Sequence, residues 1–130
     1  MTIGLSTAVR NARSTAIVTQ AGANAILTLY SGTRPASGGT ATTALSAHTC
    51  AATLGTVSNG VLTFGAIGNA TASASGAATW ARLTTSGGTF VADFDVSTTG
   101  GAGEVQMANT SIVSSATVSI SSGSLTEGNA

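Results

Sequence analysis

Residues Gly60 to Leu125 read GVLTFGAIGNATASASGAATWARLTTSGGTFVADFDVSTTGGAGEVQMANTSIVSSATVSISSGSL, and the fold is decided in this stretch. Short runs of β-type residues alternate with clusters of Gly, Ser, Thr and Asn. In an extended chain Trp80, Arg82 and Thr84 lie on one side, with Ala81 and Leu83 on the other. After Gly87 and Gly88 the chain resumes as Thr89 to Val96. There Phe90, Ala92, Phe94 and Val96 share a face and Asp93 and Asp95 lie opposite. Two period-2 segments around a Gly-Gly turn predict a β-hairpin.

A loop near Thr53 to Asn59 is expected to lead into Val61 to Phe64, and Asn59-Gly60 is a hairpin-type turn signal. Ala25 to Ser31 reads as a strand with Ile26, Thr28 and Tyr30 on one face. A loop from Gly32 to Thr40 then carries the sole proline, Pro35, behind an extended Arg34. Thr42 to Ala51 predicts the next strand, and Ala70 to Ala78 one of small side chains. Glu104 to Met107 and Ala116 to Leu125 supply the last strands, and the tail from Glu127 to Ala130 is expected to fray. At the other end Leu5 to Ala21 predicts a helix, with Leu5, Val9, Ala12 and Ala16 as its apolar stripe. Ser6 or Thr7 suits its N-cap, and Gly22 and Asn24 its exit. Such a helix either docks on a partner or packs on its own sheet. The expected architecture is a mainly β, single-domain β-sandwich or barrel of about seven or eight short strands. It comprises an N-terminal helical segment, residues 1–24, and a β domain, residues 25–130. The expected core is Leu29, Val61, Phe64, Trp80, Leu83, Phe90, Phe94, Val96, Ile112, Val118 and Ile120.

The chain has 130 residues, which fits one domain. Only 6% are charged, against about 25% in ordinary domains. The cations are Arg10, Arg13, Arg34 and Arg82, the acids Asp93, Asp95, Glu104 and Glu127, and there is no lysine. A net charge of zero offers no basic field, so no nucleic-acid partner is expected. No uninterrupted apolar run of about 18 residues occurs, so no membrane-spanning helix is expected. The opening MTIGLSTAVRNARSTA also lacks the basic and apolar regions of a secretory signal. Soluble β proteins guard sheet edges with lysine and proline. This chain has almost neither, so partner subunits are expected to cover its edges. Arg10, Arg13, Arg34 and Tyr30 are the expected partner-contact residues.

Candidate chemistry is sparse. His48 is the sole histidine, and no G-x-S-x-G elbow accompanies it for a Ser–His–Asp triad. His48 and Cys50 sit at i, i+2, but two ligands fall short of a zinc site. They read as a buried thiol beside a surface or interface histidine. Asp93 and Asp95 lack a calcium loop and read as solvated or paired with Arg82. The Gly-Gly turns lack a phosphate-loop pattern. Trp80 and Tyr30 are the only candidates for a sugar-stacking platform. No catalytic residue, metal ligand or cofactor is therefore expected.

LSTAVRNAR (Leu5 to Arg13), LTLYSGTRPASGGTATTAL (Leu27 to Leu45), GVLTF, ATWARL, VADFDVS and NTSIVSSATVSISSGSLTEGNA, in this order, resemble a family of small structural proteins of tailed bacteriophages and prophages. Many relatives carry a charged stretch after the first helix; here Ser14 to Gln20 is uncharged. The resemblance implies a non-enzymatic virion protein and carries over no catalytic residue. The expected location is the capsid exterior, as a decoration or cement protein in many copies. Its partners there would be the major capsid protein, other virion proteins or copies of itself. A tail, collar or fibre-attachment subunit, or a host-surface carbohydrate-binding module, is the alternative.

Overall fold

The computed structural model describes residues 3–127. Helix α1 spans Thr7–Ala21. The Ser6 side chain accepts the Val9 N–H at its start, and Gly22, with φ 69°, ends it in the left-handed region that suits glycine. The strands are β1 (Ile26–Ser31), β2 (Thr43–Thr49), β3 (Gly55–Ser58), β4 (Val61–Phe64), β5 (Ala70–Thr71), β6 (Gly76–Ala77), β7 (Trp80–Thr84), β8 (Phe90–Thr98), β9 (Val105–Met107), β10 (Ser111–Ile112), β11 (Thr117–Val118) and β12 (Ser122–Thr126). Eight of them form one curled sheet, a half-barrel, in the order β2-β1-β7-β8-β9-β12-β4-β3. β10 pairs with β6 and β11 with β5 as two small ribbons. The mainly β expectation with one N-terminal helix holds, and between sandwich and barrel the sheet takes the barrel-like form.

The hairpin expected at Gly87-Gly88 is present, and the turn signal at Asn59-Gly60 also joins two strands, because residues 55–58, expected as loop, pair with β4 as strand β3. β7 and β8 pair antiparallel across the Gly-Gly turn, and β3 and β4 across Asn59-Gly60. Both central residues of that second turn have positive φ, 52° and 76°, as a two-residue hairpin requires. β8 and β9 are parallel neighbours, although few residues connect them. The chain doubles back there through a glycine-rich loop. The Gly103 N–H donates to Ser97 Oγ at 3.0 Å, and a Cβ on Gly103 would lie 2.7 Å from the Ser97 nitrogen. Only a residue without a side chain permits that approach.

Leu27, Leu29, Leu45, Leu54, Leu62, Leu83, Phe94, Val105 and Met107 build the core. Each fully buried Leu or Phe contributes about 1.5–3 kcal/mol of transfer free energy. Of the expected core, Leu29, Trp80, Leu83, Phe94, Ile112, Val118 and Ile120 are buried, and Val61, Phe64 and Val96 are half-buried. Phe90 is the correction, at 38% exposed. Leu83 pairs with Ala92 but Thr84 with Phe90, so Val91 is an extra residue, a β-bulge. The bulge moves Phe90 from the Phe94 face to the Arg82 face.

The helix packs on its own sheet, against β3, β4 and β8. Its expected stripe is not the one it buries. Val9, Ala12 and Ala16 are exposed, whereas Ser14 and Ala21 are buried and Ile17 and Val18 join the core. Ser14 is small enough to let the helix approach closely, which counts here for more than apolar periodicity. The outer edge of β2 is covered by the chain itself. Gly68 N–H donates to Thr49 O at 2.9 Å and Ser73 N–H to Leu45 O at 2.8 Å. Glu127, expected to fray, is tied down, its N–H donating to Gly60 O at 2.8 Å. The expected fraying of Gly128 to Ala130 lies outside the described residues.

Ser14 is 0% exposed and its Oγ has no hydrogen-bond partner among the described residues. A buried hydroxyl without a partner costs free energy, and alanine is the better helix former. Ser14→Ala should therefore raise stability by about 1 kcal/mol in urea unfolding. A loss of similar size would mean that the hydroxyl is bonded in solution.

Candidate functional site

The densest polar constellation lies on the outer face of β1, β7 and β8, under the 32–42 strap that joins β1 to β2. Cross-strand register places Tyr30 beside Trp80 and Arg82 beside Asp93. The Tyr30 and Trp80 rings stack, with centroids 4.3 Å apart and planes 12° from parallel. The Arg82 guanidinium lies 5.2 Å from the Trp80 ring centroid and 5.2 Å from that of Phe90. The bulge at Val91 thus makes a row of Tyr30, Trp80, Arg82 and Phe90.

Arg82 donates to Asp93 twice, from Nε to Oδ1 at 2.7 Å and from NH2 to Oδ2 at 3.0 Å. The Asp93 side chain is 0% exposed and that of Arg82 13%. Its hydrogen bond with Asp93 pushes the Arg82 pKa up, against the smaller downward pull of burial. The strap satisfies what remains. Gly38 N–H donates to Asp93 Oδ2 at 3.2 Å, and Arg82 NH2 donates to Gly39 O at 2.9 Å. Trp80 Nε1–H donates to Thr42 Oγ1 at 2.9 Å, and Arg34 Nε to Asp95 Oδ1 at 2.9 Å. This is a clasp, holding an irregular loop flat on the sheet.

The expected contact residues fall into two groups. Tyr30 is half-buried under the strap, and Arg34 is at its rim. Arg10 and Arg13 meet at the opposite end of the molecule, around Glu127 and the β3–β4 turn. Arg10 donates to Asn59 O at 3.4 Å and to Glu127 O at 3.3 Å, and Arg13 pairs with the Glu127 carboxylate at 3.3 Å. Asp93 takes Arg82 as expected, but Asp95 takes Arg34, and its N–H donates to Glu104 Oε2 at 2.8 Å. Trp80 is fully buried, so it is not an exposed stacking platform for sugar. Phe90, Thr42 and the Gly38-Gly39 backbone were not foreseen in this cluster. The one signal for the strap was its two adjacent glycines: Gly38 has φ 72°, in the left-handed region that favours glycine, and a Cβ on Gly39 would lie 2.9 Å from Ala36 O.

His48 is corrected from a surface or interface position to a core one, at 0% exposed. Its Nδ1 lies 2.8 Å from Gly68 O and its Nε2 2.9 Å from Ser46 Oγ. A carbonyl only accepts, so Nδ1 carries the proton and Nε2 accepts from the serine hydroxyl. The order of groups is that of a serine nucleophile, base and orienter, but Ser46 is only 3% exposed. This arrangement instead fixes the 65–73 segment against β2. Burial pulls the His48 pKa below its ordinary value, the Gly68 bond opposing it. Cys50 is also buried, which pushes its thiol up to about 11, so it is protonated at neutral pH. Among the described residues no three His, Cys, Asp or Glu side chains cluster to hold a metal ion. A shallow depression of about 290 Å³ between β9, β10 and β11, lined by Met107, Asn109, Ile112, Val113, Thr117 and Val118, has no ionisable lining group.

Two outcomes follow from these geometries. Asp93→Ala leaves Arg82 buried without its partner and should cost about 3–5 kcal/mol in urea unfolding. It should also speed amide exchange at Gly38, whereas unchanged exchange would mean that the strap holds without the clasp. For His48 the folded pKa lies below the unfolded value near 6.5, so the unfolded state binds the proton first. Stability should be complete above about pH 6.5 and should fall as pH drops from there towards the folded pKa. His48→Gln should flatten that slope in denaturant titrations between pH 7.5 and pH 5, and an equal slope in both proteins would assign the effect to other groups. No family model, no curated protein and no solved structure matches the chain.

Proposed function

We propose that this chain is a non-enzymatic virion structural protein of a tailed bacteriophage, placed in many copies on the capsid exterior as a decoration or cement protein. The observation that carries this reading is where the charge goes. All eight charged side chains are engaged within the chain. Arg82 holds Asp93, Arg34 holds Asp95, and Arg13 holds Glu127. Arg10 binds two backbone carbonyls, and Glu104 accepts the Asp95 N–H. The sole histidine is locked in the core between Ser46 and Gly68. Charge and imidazole therefore serve the fold, and the surface is left largely to Ser, Thr, Ala and Gly. Such a surface suits docking by shape, backbone and hydroxyl groups on the major capsid protein and on copies of the same chain. Arg13 and Arg34 keep 55% and 41% of their side chains exposed while paired, so they are the cations a neighbour meets first.

The resemblance of the segments, in their order, to phage structural proteins supplies the particle, and the sparsely charged exterior supports the contact chemistry. Contacts with few ion pairs should be weakly screened by salt. Purified particles washed at high salt should retain the protein, with hundreds of copies per particle when counted by mass spectrometry. A few dozen copies would move it to the tail or collar. Complete release by salt would overturn the apolar docking, and absence from particles would overturn the proposal.

A further inference from the structure

The two ends of the eight-stranded sheet are treated differently. At one end β2 has its outer edge bonded by residues 68 and 73. At the other end lies β3, with the sequence Gly55-Thr56-Val57-Ser58. Gly65 N–H donates to Leu54 O at 2.8 Å, and Thr56 and Ser58 pair with Thr63 and Val61. In an antiparallel hairpin, hydrogen-bonded pairs alternate with non-bonded ones. Leu54, Thr56 and Ser58 therefore turn their backbone groups towards β4, and Gly55 and Val57 turn theirs away. Among the described residues no other element bonds those outward groups.

We infer that β3 pairs antiparallel with β3 of a second copy, about a two-fold axis through Thr56. The inference deepens the many-copy part of the proposed function and rests on it. About such an axis Gly55 of one copy faces Val57 of the other, and Val57 faces Gly55. Each of these two pairs exchanges both its hydrogen bonds, so the outward groups of both strands are satisfied at once. Thr56 meets its own mate as the non-bonded pair between them, with Cα atoms about 4.5 Å apart.

A second copy is favoured as occupant because a two-fold sets like beside like. An edge with a charge on it would repel itself, whereas Gly55 to Ser58 carries none. Nor does it carry the lysine or proline with which edge strands block such pairing. The nearest cation, Arg10, binds at Asn59, three residues from the axis. At about 3.3 Å per residue, Asn59 lies about 20 Å from its mate, beyond the screening length of about 8 Å at physiological salt. Its mate arrives instead opposite Thr53, in a stretch without charge. A four-residue edge buries less than the roughly 800 Å² per partner of a stable complex. The pair is therefore weak in dilute solution and populated where many copies are held close together.

A covalent trap on the free, full-length chain tests this without any particle, so its failure and that of the virion reading are distinguishable. Thr56 and Ser58 are both exposed, and the native Cys50 is buried. Thr56→Cys places two thiols on the axis, within the Cα separation of about 4.4–6.8 Å that a disulfide spans. Ser58→Cys places them about 13 Å apart, out of reach. Under mild oxidation at high protein concentration, Thr56→Cys should form a covalent dimer on non-reducing gels at least about tenfold faster than Ser58→Cys. Adding Val57→Pro to Thr56→Cys removes the outward N–H and should abolish the trapping while circular dichroism stays native. Equal rates for the two cysteine variants, or no dimer from folded Thr56→Cys, would overturn the pairing. So would undiminished trapping in a folded Val57→Pro variant.

Discussion

The buried pair of Arg82 and Asp93 is the constraint on which the outer face of the sheet depends. Removing both charges from water carries a cost that their attraction offsets only when the remaining donors and acceptors are also bonded. Here the strap supplies those bonds through Gly38 N–H and Gly39 O, and Trp80 and Phe90 flank the guanidinium. The dependence runs both ways. The strap has no regular secondary structure and its course is set by the pair, while the pair is tolerable only beneath the strap. Bidentate geometry is part of the reason. The planar guanidinium matches a carboxylate in a way that an ammonium does not, which suits a chain with arginine and no lysine.

The same logic governs the sheet edges. β2 is shielded by a segment of small residues, and the neutral imidazole of His48 bridges that segment and Ser46. One polar side chain does there what a row of edge lysines does elsewhere, but from inside. At β3 no equivalent group exists among the described residues, and the ladder of backbone groups is left facing outwards. A single chain that closes one edge and leaves the other open offers backbone pairing in one direction only, and a two-fold across that edge closes the pair.

The β7–β8 hairpin was legible because turn chemistry and period-2 alternation agree: Gly87-Gly88 fixes the turn, and Leu83 and Phe94 fix the inward face, whereas at Asn59-Gly60 the turn alone was legible. Phe90 was not legible. Its position follows from one extra residue at Val91, and nothing in T-F-V-A-D-F-D-V marks where the alternation slips. The helix was legible in extent, through Ser6 and Gly22, but not in orientation. Apolar periodicity pointed to Val9 and Ala12, while close packing selected the side with Ser14 and Ala21. β3 was read as loop because a strand of Gly, Thr, Val and Ser has little hydrophobic signal, and its existence depends on β4. Of the clasp, Arg82 with Asp93 was legible from strand pairing; the strap was not, because its bonds to that pair run through the backbone of Gly38 and Gly39.

Large side chains are scarce, so the sheet is built by two different rules. On the β1–β7–β8 side, leucines and aromatics fill both faces. On the β12–β4–β3 side, glycines let the strands and rings approach. A Cβ on Gly123 would lie 2.9 Å from the Phe64 ring, and one on Gly55 only 2.1 Å from Thr63 O. Phe64 joins the two regions, lying against Gly123 and meeting Phe94 edge to face with centroids 5.9 Å apart. A glycine in a strand loosens it unless a neighbouring ring or backbone fills the space. Phe64 fills the space at Gly123, and the backbone of β4 fills it at Gly55. The open edge at β3 is therefore held against β4, at Gly55 by an approach too close for any residue but glycine, and its outer side keeps backbone groups already in the geometry of a sheet.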